Sequence, residues 1–388
     1  MKRVLITGAT GLLGSHLTAR LLDRGCYVVA LVRKSQGLSG YERMRRRFMW
    51  MRKTLPDDDQ WQVVEAELTE PLLGLSKQDY TWLLDHTDEL VHAAGNTSFS
   101  EKQRSHVESG NIQALDHLLA FAAQARVSFF HLLSTAFVNP PEETICYEKL
   151  YERQQFLNVY EETKYRGERK TVAFCDQHNI PWSIYRPSVV FGDSVTGKTF
   201  RFNALYYPVK TLHLLREAFS KELQTNGHRA REMGIYPDGA DTIFLPLTVP
   251  KVRQGNINLI PVDYMSRAFE HLFLQSEPSS IYHITNPHPN GMESLLDYAG
   301  RFLKINGMRA VDETEQALDE RNALETLFDK YLGEYNPYLR DTRRFDAGNT
   351  LRVLEGTDVS CPYVDYRIFE QTMQYAFTTQ WGKMLKLD

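Results

Sequence analysis

Short apolar runs alternate with longer amphipathic segments over residues 1–192 of the 388-residue chain. Apolar runs of this kind are typical of strands buried on both faces of a sheet, and the segments between them have the length of helices. The alternation predicts an α/β fold with a doubly wound parallel sheet of the Rossmann type. The predicted strands are Val4–Ile6, Tyr27–Val32, Trp61–Ala66, Leu90–Gly95, Phe129–Leu133 and Trp182–Tyr185.

The first strand ends in a glycine-rich turn that precedes a helix predicted over Leu12–Arg24. Glycine lets the backbone turn tightly and approach a pyrophosphate, which the amides at the helix N-terminus then bind. The spacing is G-x-x-G-x-x-G, with Gly14 last, rather than the common G-x-G-x-x-G. The residues predicted to contact the dinucleotide here are Gly8, Thr10, Gly11, Leu12 and Leu13.

The alternation stops after Gly192 and resumes from residue 255. We therefore assign residues 1–192 and 255–285 to the dinucleotide-binding domain, and residues 193–254 and 286–388 to a smaller C-terminal substrate-binding lobe. The elements predicted in this part of the chain are a strand at Asn256–Pro261, a helix at Met265–Leu274, a strand at Ile281–Thr285 and a helix at Met292–Ile305.

Arg33 and Lys34 follow the second strand, where an enzyme that prefers NAD usually carries an acidic residue. A guanidinium group suits a 2′-phosphate, so the sequence predicts NADP(H) as cofactor. The next helix, Tyr41 to Lys53, is strongly basic, and it either supports this phosphate or forms a solvated face. Further cofactor contacts are predicted at the ends of the third and fourth strands, at Glu67, Leu68, Ala93, Ala94 and Gly95.

Tyr160 and Lys164 lie four residues apart and share one face of a predicted helix. They follow Thr135, which stands just beyond the end of the fifth strand. This set suits carbonyl reduction, because the phenol supplies a proton, the lysine lowers the phenol pKa and holds the nicotinamide ribose, and the threonine hydroxyl polarises the carbonyl. A Tyr-x-x-x-Lys pair alone is often a surface pair, but here it follows a glycine turn and a helix, Glu101–Ala125, that carries Asn111.

These motifs resemble the extended short-chain dehydrogenase/reductase superfamily, and within it the thioester reductase and fatty acyl reductase branch. The resemblance covers roughly residues 1–290 and rests on Thr7–Gly14, His92–Gly95, Leu68–Pro71, Ser134–Val138, Tyr160–Lys164 and Arg186–Gly197. It implies a catalytic set of Thr135, Tyr160 and Lys164, with Asn111 as a helper in proton relay, NADPH as hydride donor, and cofactor contacts at Pro187, Val189 and Val190. Ala66–Glu67 and Thr163 depart from the branch, which commonly has Gly-Asp and Ser there.

The resemblance implies an NADPH-dependent reductase of an acyl thioester, linked to coenzyme A or to a carrier protein, that yields an aldehyde or continues to the alcohol. The insertion after Gly197 could line an apolar acyl tunnel with Tyr206, Tyr207, Leu212, Leu214 and Leu215. The alternatives are a ketone reductase, a sugar-nucleotide epimerase or dehydratase, and a non-catalytic NADP-binding protein. Gly192–Thr199 also fits the P-loop pattern of nucleotide hydrolases, with Asp263 as a candidate metal ligand, but a chance match is favoured because no first helical turn is indicated after Lys198.

Composition limits the kinds of partner and the location that we expect for the protein. With 42% hydrophobic residues and a net charge of −4, the chain has a core-forming composition and no global excess of basic charge, so nucleic-acid binding is not expected. No window offers the roughly 18 uncharged apolar residues of a membrane span, so we predict a cytoplasmic protein without stable membrane insertion. The four cysteines, Cys26, Cys146, Cys175 and Cys361, are scattered and predict neither disulfides nor a metal site. The substrate expected is a small-molecule or carrier-bound acyl group, and a homodimer is considered.

Overall fold

The computed structural model describes residues 1–35, 37–52, 54–252, 255–312 and 321–387. The strands are β1 (Arg3–Thr7), β2 (Tyr27–Val32), β3 (Trp61–Glu65), β4 (Glu89–His92), β5 (Phe129–Leu133), β6 (Ile145–Cys146), β7 (Trp182–Pro187), β8 (Val189–Phe191), β9 (Tyr236–Pro237), β10 (Ile243–Lys251), β11 (Leu259–Pro261), β12 (Ser280–Ile284), β13 (Ile305–Asp312) and β14 (Arg344–Phe345). The helices are α1 (Leu12–Asp23), α2 (Gly40–Arg52), α3 (Lys77–Asp85), α4 (Arg104–Glu108), α5 (Ala114–Ala125), α6 (Val159–His178), α7 (Tyr206–Thr225), α8 (His228–Glu232), α9 (Val262–Leu274), α10 (Met292–Leu303), α11 (Ala323–Leu332), α12 (Gly348–Leu354) and α13 (Tyr366–Thr378).

Seven parallel strands form the central sheet, in the spatial order β3-β2-β1-β4-β5-β7-β12. Strand β1 lies between β2 and β4, with Leu5 opposite Val29 and Leu90. Val4 and Ile6 point to one face of the sheet and Leu5 to the other, and all three are fully buried. The order, with its reversal at β1, is that of a doubly wound fold, so the predicted fold class is confirmed.

Helices cover both faces of this sheet. One face packs against α1, α2 and α9, and the other against α3, α5 and α6. The long helix α6 begins where the Asn158 side chain accepts a hydrogen bond from the Glu161 amide, 3.0 Å away, and it ends at Asn179 in the left-handed conformation. This cap fixes the start of the helix that carries Tyr160 and Lys164.

A smaller lobe has a hydrophobic core of its own. Its elements are α7, α8, β9, β10, α10, β13, α11, a 3₁₀ segment at Gly333–Arg340, and α13. Its sheet pairs β10 in parallel with β13 and antiparallel with β9. The sequence predicted no regular elements over residues 193–254, but α7 and β10 account for much of this stretch.

The observed elements depart from the predicted ones in several places. The predicted helix Glu101–Ala125 is divided, with a π turn at Ser109–Gln113 between α4 and α5. The strand predicted at Asn256–Pro261 is shortened to β11, and Lys53 and residues 253–254 lie outside the described residues.

The domain boundaries stay a prediction. The packing of the segment that contains β14 and α12 differs from the predicted assignment. Residues 286–388 were all assigned to the lobe, but β14 pairs with β6, and α12 packs on α9 and β12. Leu354 and Val359 are buried in the core beside the large sheet. Among the helices within the described ranges, none has both the length and the apolar character that crossing a bilayer requires.

Candidate active site

The glycine turn is built so that larger residues would not fit. Gly8 has a φ of +72°, and a Cβ placed on it would lie 2.6 Å from the Ala94 amide nitrogen. A Cβ on Gly14 would lie 2.1 Å from the Gly8 carbonyl oxygen. The turn therefore packs directly on the end of β4 and on the first turn of α1, whose N-terminal amides are the groups that would bind an anion. These residues fit a dinucleotide pyrophosphate.

Three neighbouring contacts fix this turn. The Ala94 amide donates to Thr7 Oγ1 over 3.2 Å, and Thr7 Oγ1 lies 2.8 Å from His92 Nδ1. Burial lowers the pKa of His92 to about 3, so its ring is neutral beside the threonine hydroxyl. On the other side, Arg47 of α2 donates to the Thr10 carbonyl over 3.0 Å. No sequence motif pointed to this Arg47 contact.

A cluster of cations lies just beyond β2. Arg33 and Lys34 are both exposed there, and the Arg43 guanidinium donates to the Arg33 carbonyl over 2.8 Å. The basic helix α2 thus brings a third charge to the position where the adenosine ribose of a Rossmann cofactor lies. This supports the phosphate-binding alternative for α2 and leaves NADP as a prediction.

The residues predicted after β3 and β4 lie at the same edge of the sheet. Glu67 accepts a hydrogen bond from the Thr69 hydroxyl over 2.8 Å, and the Leu68 carbonyl lies 2.8 Å from the His117 ring. The Glu67 side chain is therefore held by its own loop. Ala93 and Ala94 are partly buried and Gly95 is exposed.

The predicted catalytic side chains converge between β5 and α6. Thr135 and Tyr160 share a hydrogen bond, which lowers the Tyr160 pKa, but burial has the larger effect and raises that pKa to about 12. Lys164 donates to the carbonyl of Leu133, the last residue of β5, over 3.0 Å. Burial lowers the pKa of Lys164 to about 8. A phenol, a second hydroxyl and a cation thus meet at one sheet edge, while the predicted tuning of Tyr160 by Lys164 stays a prediction.

Asn111 lies in the π turn and is fully engaged by its neighbours. Its Oδ1 accepts from the Asn96 amide over 2.6 Å, and its Nδ2 donates to the Asn96 carbonyl and to Thr163 Oγ1. π turns are common at functional sites because they redirect a side chain that a regular helix would bury elsewhere. Here the turn ties the loop after β4 to α6. The relay role of Asn111 stays a prediction.

An apolar cavity of about 140 Å³ opens beside Tyr160. Val189, which follows Pro187, belongs to its wall, and the neighbouring Val190 packs on the large core. The smaller lobe supplies most of the remaining wall through α7, α10, α11, the Gly333–Arg340 segment and α13. At the Tyr160 end, the aromatic rings of Phe99, Phe137, Tyr335 and Tyr338 lie in contact with one another.

The structure has an apolar cavity in this region, but several of the residues predicted to line an acyl tunnel lie elsewhere, and its use for an acyl chain stays a prediction. Leu212 lines the cavity, together with Leu205, Pro208 and Val209 of the same region. Leu214 is 58% exposed on the outer side of α7, and the Tyr206 hydroxyl accepts a hydrogen bond from the Gly192 amide. The sequence did not indicate the aromatic residues at the Tyr160 end of the cavity, although Phe137 stands within the Ser134–Val138 motif.

The P-loop-like segment does not form a phosphate cradle. The Asp193 carboxylate accepts from the amides of Val195 and Thr196, and Lys198 donates to the Trp50 carbonyl over 3.1 Å. Asp263 accepts both the amide and the hydroxyl of Ser194. The groups that a nucleotide or its metal would need are thus engaged by the loop itself or by α2 and α9, and the next helix, α7, begins only at Tyr206.

The parallel sheet, its glycine turn and the residues at the ends of its strands define a member of the extended short-chain dehydrogenase/reductase superfamily, as the sequence predicted. The resemblance to its thioester reductase and fatty acyl reductase branch is also confirmed. Residues 6–269 match the family described as male sterility protein, an NAD-binding family, and the chain belongs to it.

Two curated relatives and one solved structure show which proteins the chain is similar to. A linear gramicidin synthase protein of Brevibacillus parabrevis is 24% identical over 96% of this chain and 7% of its own length. Fatty acyl-CoA reductase 1 of Rattus norvegicus is 35% identical over 35% of this chain and 28% of its own length. The terminal R domain from the myxalamid PKS-NRPS biosynthetic pathway is 23% identical, covers 99% of this chain and 92% of its own, and superimposes with a TM-score of 0.75. The chain therefore spans less than a third of the length of either curated relative, and the solved structure shares its fold.

Proposed function

We propose that the protein is an NADPH-dependent reductase that converts an acyl thioester to an aldehyde. The observation that carries this proposal is the apolar cavity beside Tyr160, since a carbonyl placed at Tyr160 would have its acyl group enclosed by hydrocarbon side chains. The names of the curated relatives, a linear gramicidin synthase and a fatty acyl-CoA reductase, support an acyl substrate.

The residues around the glycine turn would hold the cofactor pyrophosphate, and Arg33, Lys34 and Arg43 would hold a 2′-phosphate. When bound there, NADPH supplies the hydride. The fit rests on the two positions where a Cβ cannot be placed and on the exposed cations after β2.

In the proposed reaction, Thr135 and Tyr160 donate hydrogen bonds to the carbonyl oxygen. As hydride adds to the carbonyl carbon, the carbonyl electron pair moves to the oxygen, and Tyr160 transfers its proton there. The resulting hemithioacetal returns its hydroxyl proton to the Tyr160 phenolate as the C–S bond breaks. The electron pair leaves with the sulfur, and the thiolate takes up a proton from solvent. The products are an aldehyde and a free thiol. Lys164 keeps a positive charge beside this site below a pH of about 8.

The cavity argues against a sugar nucleotide. Its wall is made almost entirely of aliphatic and aromatic groups. Burying sugar hydroxyls without partners would cost about 1–3 kcal/mol for each unmatched group. A small ketone would leave most of the cavity empty. We therefore keep the ketone reductase and the epimerase as outcomes of the test.

The test supplies NADPH with acyl-pantetheine, acyl-coenzyme A or an acylated carrier protein, and follows NADPH oxidation together with thiol release. Equal amounts of NADPH oxidised and thiol released would indicate an aldehyde product, and twice as much NADPH would indicate the alcohol. Activity confined to ketones or nucleotide sugars, or oxidation without thiol, would reject the proposal. The ratio of activities on coenzyme A and carrier-protein substrates would identify the thiol partner.

A further inference from the structure

Tyr338 joins the cavity wall to the catalytic helix. It lies in the 3₁₀ segment Gly333–Arg340 of the smaller lobe, and its ring lines the cavity. The ring centroid lies 5.2 Å from that of Phe99 and 5.2 Å from that of Phe137. Phe99 in turn lies 5.7 Å from the Tyr160 ring. A substrate carbonyl at Tyr160 would therefore place the first part of its acyl group against these rings.

The hydroxyl of Tyr338 is attached to the first turn of α6. It donates to Glu161 Oε1 over 2.8 Å and accepts from Asn158 Nδ2 over 2.7 Å. Asn158 caps α6, and Glu161 is the residue next to Tyr160. A contact between residues 177 positions apart in the chain thus sets the distance between the cavity wall and the proton donor.

The partner of this hydroxyl is itself fixed. The Glu161 side chain is fully buried, and its other carboxylate oxygen accepts from Arg153 Nη2 over 2.6 Å. Arg153 also donates to the Phe137 carbonyl over 2.9 Å, so the same ion pair supports a second residue of the cavity wall. Hydrogen bonds to a buried charged group are stronger than neutral ones, so the Tyr338 hydroxyl is held more firmly than a surface tyrosine would be.

We propose that Tyr338 is a positioning residue whose bond to Glu161 holds the Gly333–Arg340 segment as a preformed wall for the acyl chain. This rests on the proposed function and adds to it a residue that makes the enzyme sensitive to acyl length. Without the hydroxyl, the wall has to be ordered when the substrate binds, and a long acyl chain, which contacts more of the wall, loses more affinity than a short one.

The experiment compares Tyr338→Phe with Tyr331→Phe, a matched change in the same lobe at a tyrosine that is 50% exposed. The kcat and KM are measured for acetyl-, hexanoyl- and dodecanoyl-pantetheine with NADPH, together with the NADPH Kd and the Tm. For Tyr338→Phe we expect the KM of the dodecanoyl substrate to rise about fivefold and that of the acetyl substrate less than about twofold, as the ordering of one wall segment predicts. The NADPH Kd should stay unchanged, and Tyr331→Phe should match the wild type.

A merely structural role gives a different result. The Tm would then fall, and the kcat would drop by the same factor for every acyl length with KM unmoved, which would overturn the proposal. A wild type that releases no thiol from any thioester would instead reject the proposed function. The role of Tyr338 is then decided by calorimetric titration with dodecyl-pantetheine thioether, which cannot be reduced. Equal affinities of the Tyr338→Phe and Tyr331→Phe proteins would overturn it, and an affinity about fivefold weaker for Tyr338→Phe would support it.

Discussion

Replacing Arg33 by Asp should weaken the binding of NADPH and leave the binding of NADH almost unchanged. The perturbation removes one of three cations after β2 and places a carboxylate where a ribose 2′-hydroxyl could donate to it. A charge-assisted hydrogen bond is worth about 1.5–3 kcal/mol. Since Arg33 is exposed, solvent and salt screen the interaction, and the lower end of that range applies.

A loss of about 1.4 kcal/mol corresponds to a tenfold change in Kd. We therefore expect Arg33→Asp to weaken NADPH binding about tenfold and to change NADH binding less than about twofold. Lys34 and Arg43 remain in the variant, so the loss should not reach the full value expected for an isolated ion pair. Replacing Arg43 as well should produce a further loss for NADPH.

The assay is the titration of cofactor fluorescence for both nucleotides at two salt concentrations. Arg45→Asp provides the control, since Arg45 is an exposed cation on α2 that pairs with Glu42. Equal losses for NADPH and NADH, or an equal effect of Arg45→Asp, would refute the assignment of Arg33 to the 2′-phosphate. A loss that shrinks at high salt would agree with it.

The site leads to three more predictions. Tyr160→Phe should lower kcat at least about 100-fold while the NADPH Kd stays within about twofold, and near-normal turnover would make Tyr160 a packing residue. Leu212→Trp should fill part of the cavity and lower kcat/KM for long acyl thioesters, whereas Leu214→Trp on the outer side of α7 should not, and equal effects would contradict the placement of the cavity. Lys164 loses its proton above a pH of about 8, while Tyr160, with a pKa of about 12, keeps its own. The kcat/KM for NADPH should therefore fall as pH rises through about 8. A flat profile to pH 10 would show that the lysine charge is not needed.

The sheet and the glycine turn could be predicted because their signals are local. The alternation of apolar runs with helical segments indicates a parallel sheet. Glycine is required at Gly8 and Gly14 because atoms of the same turn and of the segment after β4 lie too close for a Cβ. The pair Tyr160 and Lys164 was likewise visible, since helical spacing alone places them on one face.

The cavity could not be predicted in the same way, because its wall is assembled from segments far apart in the chain. Phe99, Leu212 and Tyr338 come from three regions whose proximity depends on how the lobe docks. Without a predicted helix over α7, there was no basis for separating an inward Leu212 from an outward Leu214. The hydrogen bond between Tyr338 and Glu161 also depends on how the lobe docks, so it could not be predicted from the sequence.

The chain passes several times between the two halves of the protein, the large domain and the smaller lobe, and this limits how the protein can be divided. The chain leaves the large sheet after β7 and returns with α9 and β12. It leaves again for the smaller lobe at α10, returns with α12 to the core beside the large sheet, and finally departs to form α13. Neither half is a continuous piece of sequence, so neither can be expressed by itself through simple truncation. Cutting any one of these connections, for example by limited proteolysis, would leave the halves joined by the others. The same connections restrain the halves from swinging apart as two domains on a single hinge would.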